Sequence, residues 1–200
     1  GGDGMIHAFH ISNGKVSYLN RWMRTVKWKK EHEEQKALWS SGMDVMNNDP
    51  SVSNIETDGL ANTAIVSHAG KIFALEEAHA PFEFDQMTLE SRGSYSFNNK
   101  LQGPVTAHPK IDPITGELLF FGYMADGFFS NTIRYTAVSS DGNISKSELI
   151  KAPFPSMVHD FFATQKYIII PVFPLTGDFE RALNGKPPFA WEPEKGTHIC

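Results

Sequence analysis

The chain has few of the features that mark disulfide-stabilised, membrane-spanning or nucleic-acid-binding proteins. Its 200 residues include a single cysteine, Cys200, which excludes an intrachain disulfide and a cysteine-rich zinc site. The longest apolar stretch, Tyr167 to Phe173, is interrupted by Pro171 and falls far short of the roughly 20 residues that a membrane-spanning helix needs. The net charge is −5 and the chain has no basic stripe, so we expect no nucleic-acid partner.

The overall composition is that of an ordinary globular protein. Hydrophobic residues make up 40% of the chain and charged residues 20%, which is enough to build a sizeable core. The chain starts Gly-Gly-Asp-Gly, without an initiator methionine, and stops in Thr-His-Ile-Cys, which has the pattern of an opening strand. We therefore expect one domain over residues 1–200 that is truncated at both ends. The single cysteine is compatible with a reducing compartment, and we expect a cytoplasmic protein.

Strand patterns dominate the sequence. Met5 to Ile11 and Val16 to Leu19 flank Asn13-Gly14, a strong hairpin signal because a type I′ turn needs positive φ at both central residues. Further strands are predicted at Thr63–His68, Lys71–Glu76, Glu117–Tyr123, Thr132–Val138, Ile144–Ile150 and Tyr167–Phe173. Short strands at fairly regular spacing, without βαβ alternation, predict an all-β sandwich, barrel or propeller. Weak self-similarity at blade length fits a propeller but does not separate it from a barrel.

Helical patterns are few. Val26 to Trp39 is predicted to be a helix because it has a partly apolar face and i,i+4 pairs such as Lys30 with Glu34. Met43 to Gly59 is rich in Asn, Asp and Ser and is predicted to be a loop. A short helix is possible at Asp178 to Leu183.

Two histidines lie in apolar segments of the sequence. His108 precedes Pro109, which fixes its own φ and biases His108 toward an extended backbone, a rigid way to present an imidazole. His159 lies in the mostly apolar stretch Met157 to Thr164. Such histidines can be metal ligands, since neutral imidazole is the commonest protein metal donor. They can equally be core histidines bonded to backbone carbonyls, and the residues alone leave both interpretations open. His68 and His79 are predicted to lie in loops or on the surface.

Four stretches of the chain together resemble a known family. They are Gly2–Phe9 (GDGMIHAF), Phe73–Pro81 (FALEEAHAP), Thr106–Asp112 (TAHPKID) and Met157–Phe161 (MVHDF). In this order they resemble the carotenoid oxygenase family, which includes carotenoid and apocarotenoid cleavage dioxygenases and lignostilbene dioxygenases. Arg21–Trp28 and Pro188–Ile199 are most similar to the lignostilbene-type branch. The resemblance covers essentially the whole chain.

The resemblance implies a seven-bladed β-propeller capped by helices. It also implies an Fe(II) held on the propeller axis by four histidines, three of them oriented by glutamates. His108 and His159 match the first and second iron ligands, and Glu77 matches the glutamate that orients His159, since a carboxylate on the far ring nitrogen fixes the tautomer. The remaining ligands would lie beyond Cys200. The chain would then cover roughly the first three blades and one cap helix, and would be inactive alone.

The activity implied by the resemblance is that of a non-haem iron dioxygenase. Such an enzyme uses O2 to cleave a conjugated carbon–carbon double bond of an apolar substrate into two carbonyl products. Glu76 stands where lignostilbene-cleaving members often have a lysine that meets a phenolic oxygen, which favours a carotenoid or apocarotenoid over a stilbene. Strand alternation lets only one of Glu76 and Glu77 face the axis. The alternatives are a family isomerase or hydrolase, and a non-catalytic propeller that binds partners; contact with a membrane surface also stays open.

Overall fold

The computed structural model describes residues 2–40 and 47–200, so residues 43–46 of the predicted loop at Met43 to Gly59 lie outside the described residues. The chain divides into two compact units. The first contains residues up to 76 together with 80–95, and the second contains 77–79 and 96–200. None of the helices in the described ranges is long and apolar enough to cross a membrane.

The first unit begins with the predicted hairpin. Strand β1 (Met5–Ser12) pairs antiparallel with β2 (Lys15–Trp22). The turn residues Asn13 and Gly14 have φ values of 49° and 72°, as a type I′ turn requires. The hairpin prediction is confirmed, and its turn chemistry is the reason that it was visible in the sequence.

Helix α1 (Val26–Glu34) follows the hairpin. It begins where the sequence predicts, because the Thr25 hydroxyl caps the helix by accepting the backbone N–H of Trp28 at 3.2 Å. The predicted i,i+4 pair is also present, with Lys30 Nζ 2.7 Å from Glu34 Oε1. Both features are local, so the start of the helix could be inferred from sequence.

The predicted end of this helix at Trp39 is wrong. Gln35 takes the left-handed conformation with φ 51° and terminates the helix. Beyond it, Glu31 Oε1 accepts the backbone N–H groups of Leu38 and Trp39 at 2.8 and 2.9 Å, which stabilises a non-helical course. Leu38 and Trp39 pack with Val52 instead of extending an apolar helix face. The helix is short because of contacts that have no periodic signature in the sequence.

The first unit also contains a four-stranded antiparallel sheet in the order β3-β4-β5-β6. Its strands are β3 (Ala64–His68), β4 (Lys71–Leu75), β5 (Phe82–Phe84) and β6 (Ser91–Ser94). A two-residue turn with positive φ at Ala69 and Gly70 joins the first pair. The prediction that His68 lies in a loop or on the surface is wrong, because strand alternation places it on the inner face of β3, where it is buried.

The second unit is built on another four-stranded antiparallel sheet, in the order β10-β9-β8-β7. Its strands are β7 (Lys110–Ile111), β8 (Leu118–Tyr123), β9 (Thr132–Val138) and β10 (Ile144–Lys151). Residues 118–121 of β8 are all buried, as their apolar run predicts. Buried side chains of this sheet form a core with Val158, Phe161, Ile170 and Val172 from the segments that follow it.

Short antiparallel strand pairs follow. The elements are β11 (Phe162–Ala163), β12 (Ile168–Ile169), β13 (Pro171–Val172), β14 (Leu175–Gly177), α2 (Phe179–Leu183), β15 (Phe189–Trp191) and β16 (His198–Ile199). Strand β11 pairs with β12, β13 with β16, and β14 with β15. The predicted short helix is confirmed, with Asp178 as its N-cap.

The single buried strand predicted at Tyr167 to Phe173 is wrong. The segment is divided between β12 and β13, which pair with different partners. Its ends, Tyr167 and Phe173, are exposed. Pro171 has no N–H to contribute to a continuous ladder, so the division falls just before it. The described residues are nonetheless mainly β, which confirms the predicted all-β class.

Candidate metal centre

His108 lies at the end of a segment that is held against β8. The backbone N–H of Thr106 donates to the carbonyl of Phe121 at 2.7 Å. The chain approaches so closely here that a Cβ on Gly122 would lie 2.1 Å from the carbonyl oxygen of Pro104. A side chain at position 122 would therefore displace the backbone that leads into His108. The imidazole itself is half-buried.

His159 is carried between two buried anchors. Val158 and Phe161 are 2% and 1% exposed, while the side chain of His159 is 62% exposed. Phe161 packs edge-to-face on Phe121, with the ring centroids 5.3 Å apart. The apolar residues around His159 therefore serve as core, and they hold the imidazole at the surface of the second unit.

The structure brings the two histidines together. Their Nε2 atoms are 3.0 Å apart, and their ring planes are inclined at 67°. One hydroxyl also links their backbones, because Thr106 Oγ1 accepts the N–H of His108 at 3.1 Å and donates to the carbonyl of His159 at 3.5 Å. Two residues far apart in the sequence thus present neighbouring ring nitrogens to one point.

The carboxylate of Glu77 contacts the ring nitrogen of His159 that faces away from His108. Both of its carboxylate oxygens lie 3.2 Å from Nδ1 of His159. A carboxylate can only accept, so the ring proton of His159 belongs on Nδ1. The Nε2 of a neutral His159 then keeps its lone pair, directed toward His108. This is the arrangement in which an outer carboxylate orients a metal-binding histidine.

The donor set fits a transition-metal ion. Two nitrogens that bind one ion at about 2.1 Å and at right angles stand about 3.0 Å apart, and imidazole suits iron in its ordinary geometries. The same distance also fits an N–H···N hydrogen bond between the two rings. Among residues 2–40 and 47–200, no group of three or more His, Cys, Asp or Glu side chains could hold a metal. This chain thus offers two donors and one orienting carboxylate, and the ligand roles of His108 and His159 stay predictions.

A salt bridge beside the histidines was missed by the sequence reasoning. Lys110 Nζ lies 2.7 Å from Asp160 Oδ1. Burial works to raise the pKa of Asp160, but the hydrogen bonds from Lys110 and from the backbone N–H of Phe161 outweigh it and hold that pKa below its ordinary value. The available signal was that each member follows a histidine closely, Lys110 by two positions and Asp160 by one.

Comparisons with known proteins match the whole chain. A family model described as the retinal pigment epithelial membrane protein matches residues 1–200. The isoeugenol monooxygenase of Pseudomonas putida is 37% identical over 199 residues, which cover 99% of this chain and 41% of that protein. The lignostilbene-alpha,beta-dioxygenase isozyme III of Sphingomonas paucimobilis is 33% identical over 192 residues, 96% of this chain and 39% of that protein.

The fold is also similar to that of solved structures. The crystal structure of the Pseudomonas brassicacearum lignostilbene dioxygenase matches with a TM-score of 0.89 at 38% identity. That match covers 96% of this chain and 40% of the other. The chain therefore spans about two fifths of the length of these relatives.

Proposed function

This chain belongs to the carotenoid oxygenase family, matched over residues 1–200 by the model for the retinal pigment epithelial membrane protein, and on that premise we propose that it is part of a non-haem Fe(II) dioxygenase. The reaction is cleavage of a conjugated carbon–carbon double bond into two carbonyl products. One observation supports the proposal above all: the Nε2 atoms of His108 and His159 lie 3.0 Å apart, with Glu77 on the far nitrogen of His159.

The geometry supports the following proposed roles. His108 and His159 would hold the iron, and Glu77 would keep the proton of His159 on Nδ1 so that its Nε2 lone pair is free. Fe(II), when bound, supplies the activation of O2 that an alkene alone does not provide. The overall reaction balances without another reductant, since the C=C and O=O bonds break and two C=O bonds form.

The proposed architecture is a seven-bladed β-propeller of which this chain supplies roughly the first three blades and one cap helix. It is supported by the four-stranded antiparallel meanders β3–β6 and β7–β10, because such a meander is the unit of a propeller blade. Helix α1 is the candidate cap helix. The third and fourth iron ligands are proposed to lie beyond Cys200, in the rest of a longer protein.

Two substrate classes are supported by different observations. The names of relatives that are 33–38% identical to this chain refer to isoeugenol and lignostilbene, which supports an aryl-substituted alkene. Glu76 supports a carotenoid or apocarotenoid instead, because a carboxylate cannot meet a phenolic oxygen as an ammonium would. Both classes share the reacting group, a double bond conjugated to further unsaturation.

An oxygen-uptake assay on the full-length, iron-loaded protein tests this function. Isoeugenol, resveratrol and an apocarotenal are supplied separately, and O2 consumption is measured together with the products. We expect one substrate class to consume one O2 per molecule and to yield two carbonyl fragments. Isomerisation without O2 uptake would identify a family isomerase. No turnover of any of the three by folded, iron-loaded protein would contradict the proposed activity and favour a binding propeller.

Replacing Glu77 by alanine tests its assigned role separately from turnover. Without the carboxylate, Nδ1 of His159 loses its acceptor and the ring loses its fixed tautomer, so we expect metal affinity to fall by about 10- to 100-fold. The measurement is the Co(II) dissociation constant of the full-length protein, obtained by competition with a chelator. Glu76→Ala is the matched control, and the role is wrongly assigned if that variant, instead of Glu77→Ala, loses affinity.

A further inference from the structure

We propose that the ion pair between Lys110 and Asp160 is a positioning device that sets the spacing of His108 and His159 for metal binding. The inference rests on the metal site proposed above and adds two residues to it. Neither residue contacts the metal in this scheme, and each acts through the backbone of the histidine that precedes it. The observation behind it is that the pair joins the two histidine-bearing segments just beyond the histidines.

The lysine end of the pair is fixed by the sheet. Lys110 is the first residue of β7 and pairs with Leu119 of the buried strand β8. Its ammonium also lies 5.3 Å from the centre of the Phe161 ring, within the range of a cation–π contact. The lysine is therefore anchored through its backbone in the sheet and through its side chain on the core.

The carboxylate end is held just as closely. Asp160 Oδ1 accepts both from Lys110 Nζ at 2.7 Å and from the backbone N–H of Phe161 at 2.8 Å. Phe161 is buried in the core of the second unit. The hydrogen bond from the Phe161 N–H restricts rotation of the Asp160 side chain. The position of the Lys110 ammonium therefore constrains the backbone next to His159, and not only the carboxylate of Asp160.

A second contact, through the Thr106 hydroxyl, joins the same two segments. The Thr106 hydroxyl bridges the N–H of His108 and the carbonyl of His159. Along the first segment His108 thus lies between Thr106 and Lys110, and along the second segment the contacts are made by the His159 carbonyl and by Asp160. Two separate contacts between the segments restrict their separation and their relative rotation more than one contact would, and the Nε2 atoms stay 3.0 Å apart only if both are restricted.

This ion pair is expected to contribute little to the stability of the fold. The side chains of Lys110 and Asp160 are 35% and 54% exposed, and ion pairs exposed to that extent contribute little to folding. Its place next to two histidines is better explained by positioning. A positioning role and a purely electrostatic role of Lys110 predict opposite changes in metal affinity when the lysine is replaced, so an affinity measurement distinguishes them.

The test is the Co(II) affinity of the full-length protein with Lys110→Met. Removing the ammonium leaves the Asp160 carboxylate uncompensated near the site, so a purely electrostatic effect would make cation binding tighter. Loss of positioning makes it weaker, and we expect about a tenfold increase in the Co(II) dissociation constant. The visible spectrum of bound Co(II) should change as well, because it reports the arrangement of the donors.

Control variants distinguish a positioning role of the Lys110–Asp160 pair from other effects of losing a surface ion pair. Lys146→Met breaks a comparable pair with Glu148, 3.2 Å apart on β10 of the same sheet, and should leave the Co(II) affinity unchanged. Lys110→Arg keeps a cation in reach of Asp160 and should restore binding. Lys110→Gln gives the same test if the methionine variant does not fold.

Three results would overturn the inference. Unchanged or tighter Co(II) binding in folded Lys110→Met or Lys110→Gln would show that the ion pair does not position the histidines, and would leave the proposed metal site intact. An equal loss of affinity in Lys146→Met would assign the effect to the sheet as a whole. Absence of Co(II) binding in the unaltered full-length protein would remove the metal site and the inference together.

Discussion

Replacing His108 by alanine in the full-length protein is expected to abolish stable metal binding. The variant loses one of the two nitrogens that this chain directs to a common point, while Glu77 and His159 are retained. Loss of an outer carboxylate already weakens metal sites by 10- to 100-fold, so loss of a ligand should lower the affinity by more than about 100-fold. Metal analysis after dialysis measures the effect, and O2 uptake should disappear with the metal.

The control for this variant is His10→Ala. His10 is an exposed histidine of β1, so its removal changes the histidine content equally and leaves His108, His159 and Glu77 in place. A His108→Ala protein that keeps its iron and its turnover, while its circular dichroism shows it to be folded, would show that His108 is a structural histidine and that the site has been wrongly assigned.

Replacing Gly122 by alanine should have the second largest effect, on folding. The added Cβ would lie 2.1 Å from the carbonyl oxygen and 2.8 Å from the carbonyl carbon of Pro104, and both are backbone atoms. Either β8 or the segment leading to His108 must move, which breaks the bond from the Thr106 N–H to the Phe121 carbonyl. We expect the free energy of unfolding to fall by more than about 3 kcal/mol.

Denaturant unfolding of the full-length protein measures this loss. Gly70→Ala separates steric overlap from backbone strain, because Gly70 has φ 74° but has no atom within 4 Å of its added Cβ apart from its own and those of its two chain neighbours. Left-handed strain alone should cost about 1–2 kcal/mol. If Gly122→Ala costs no more than Gly70→Ala, the close approach of Pro104 to β8 does not hold the His108 segment.

Features fixed by local chemistry could be predicted from the sequence. The hairpin at Asn13-Gly14 and the start of α1 at Thr25 depend on turn and capping preferences of adjacent residues. The end of α1 could not be predicted, because the backbone beyond it is stabilised by Glu31 through hydrogen bonds to Leu38 and Trp39. Such contacts depend on how the chain returns in space, which periodicity does not report.

The candidate site also has features that could be predicted from the sequence and features that could not. The sequence motifs named His108, His159 and Glu77, and the structure places Glu77 on the ring of His159. The motifs do not contain the 3.0 Å separation of the two Nε2 atoms, which depends on packing around Phe161 and on the hydroxyl of Thr106. The Lys110–Asp160 pair was overlooked because each member has an ordinary surface role when its own segment is considered alone.

The central claim is that His108 and His159 bind one iron ion, and anomalous diffraction at the iron edge from crystals of the full-length protein tests it most directly. The expected result is a single strong peak about 2.0–2.2 Å from Nε2 of both histidines, a typical length for a metal–imidazole bond, with Glu77 still on Nδ1 of His159. The claim is contradicted if iron-loaded crystals show no anomalous peak there. It is also contradicted if the peak lies at other side chains while the Nε2 atoms of His108 and His159 remain within hydrogen-bond distance of each other.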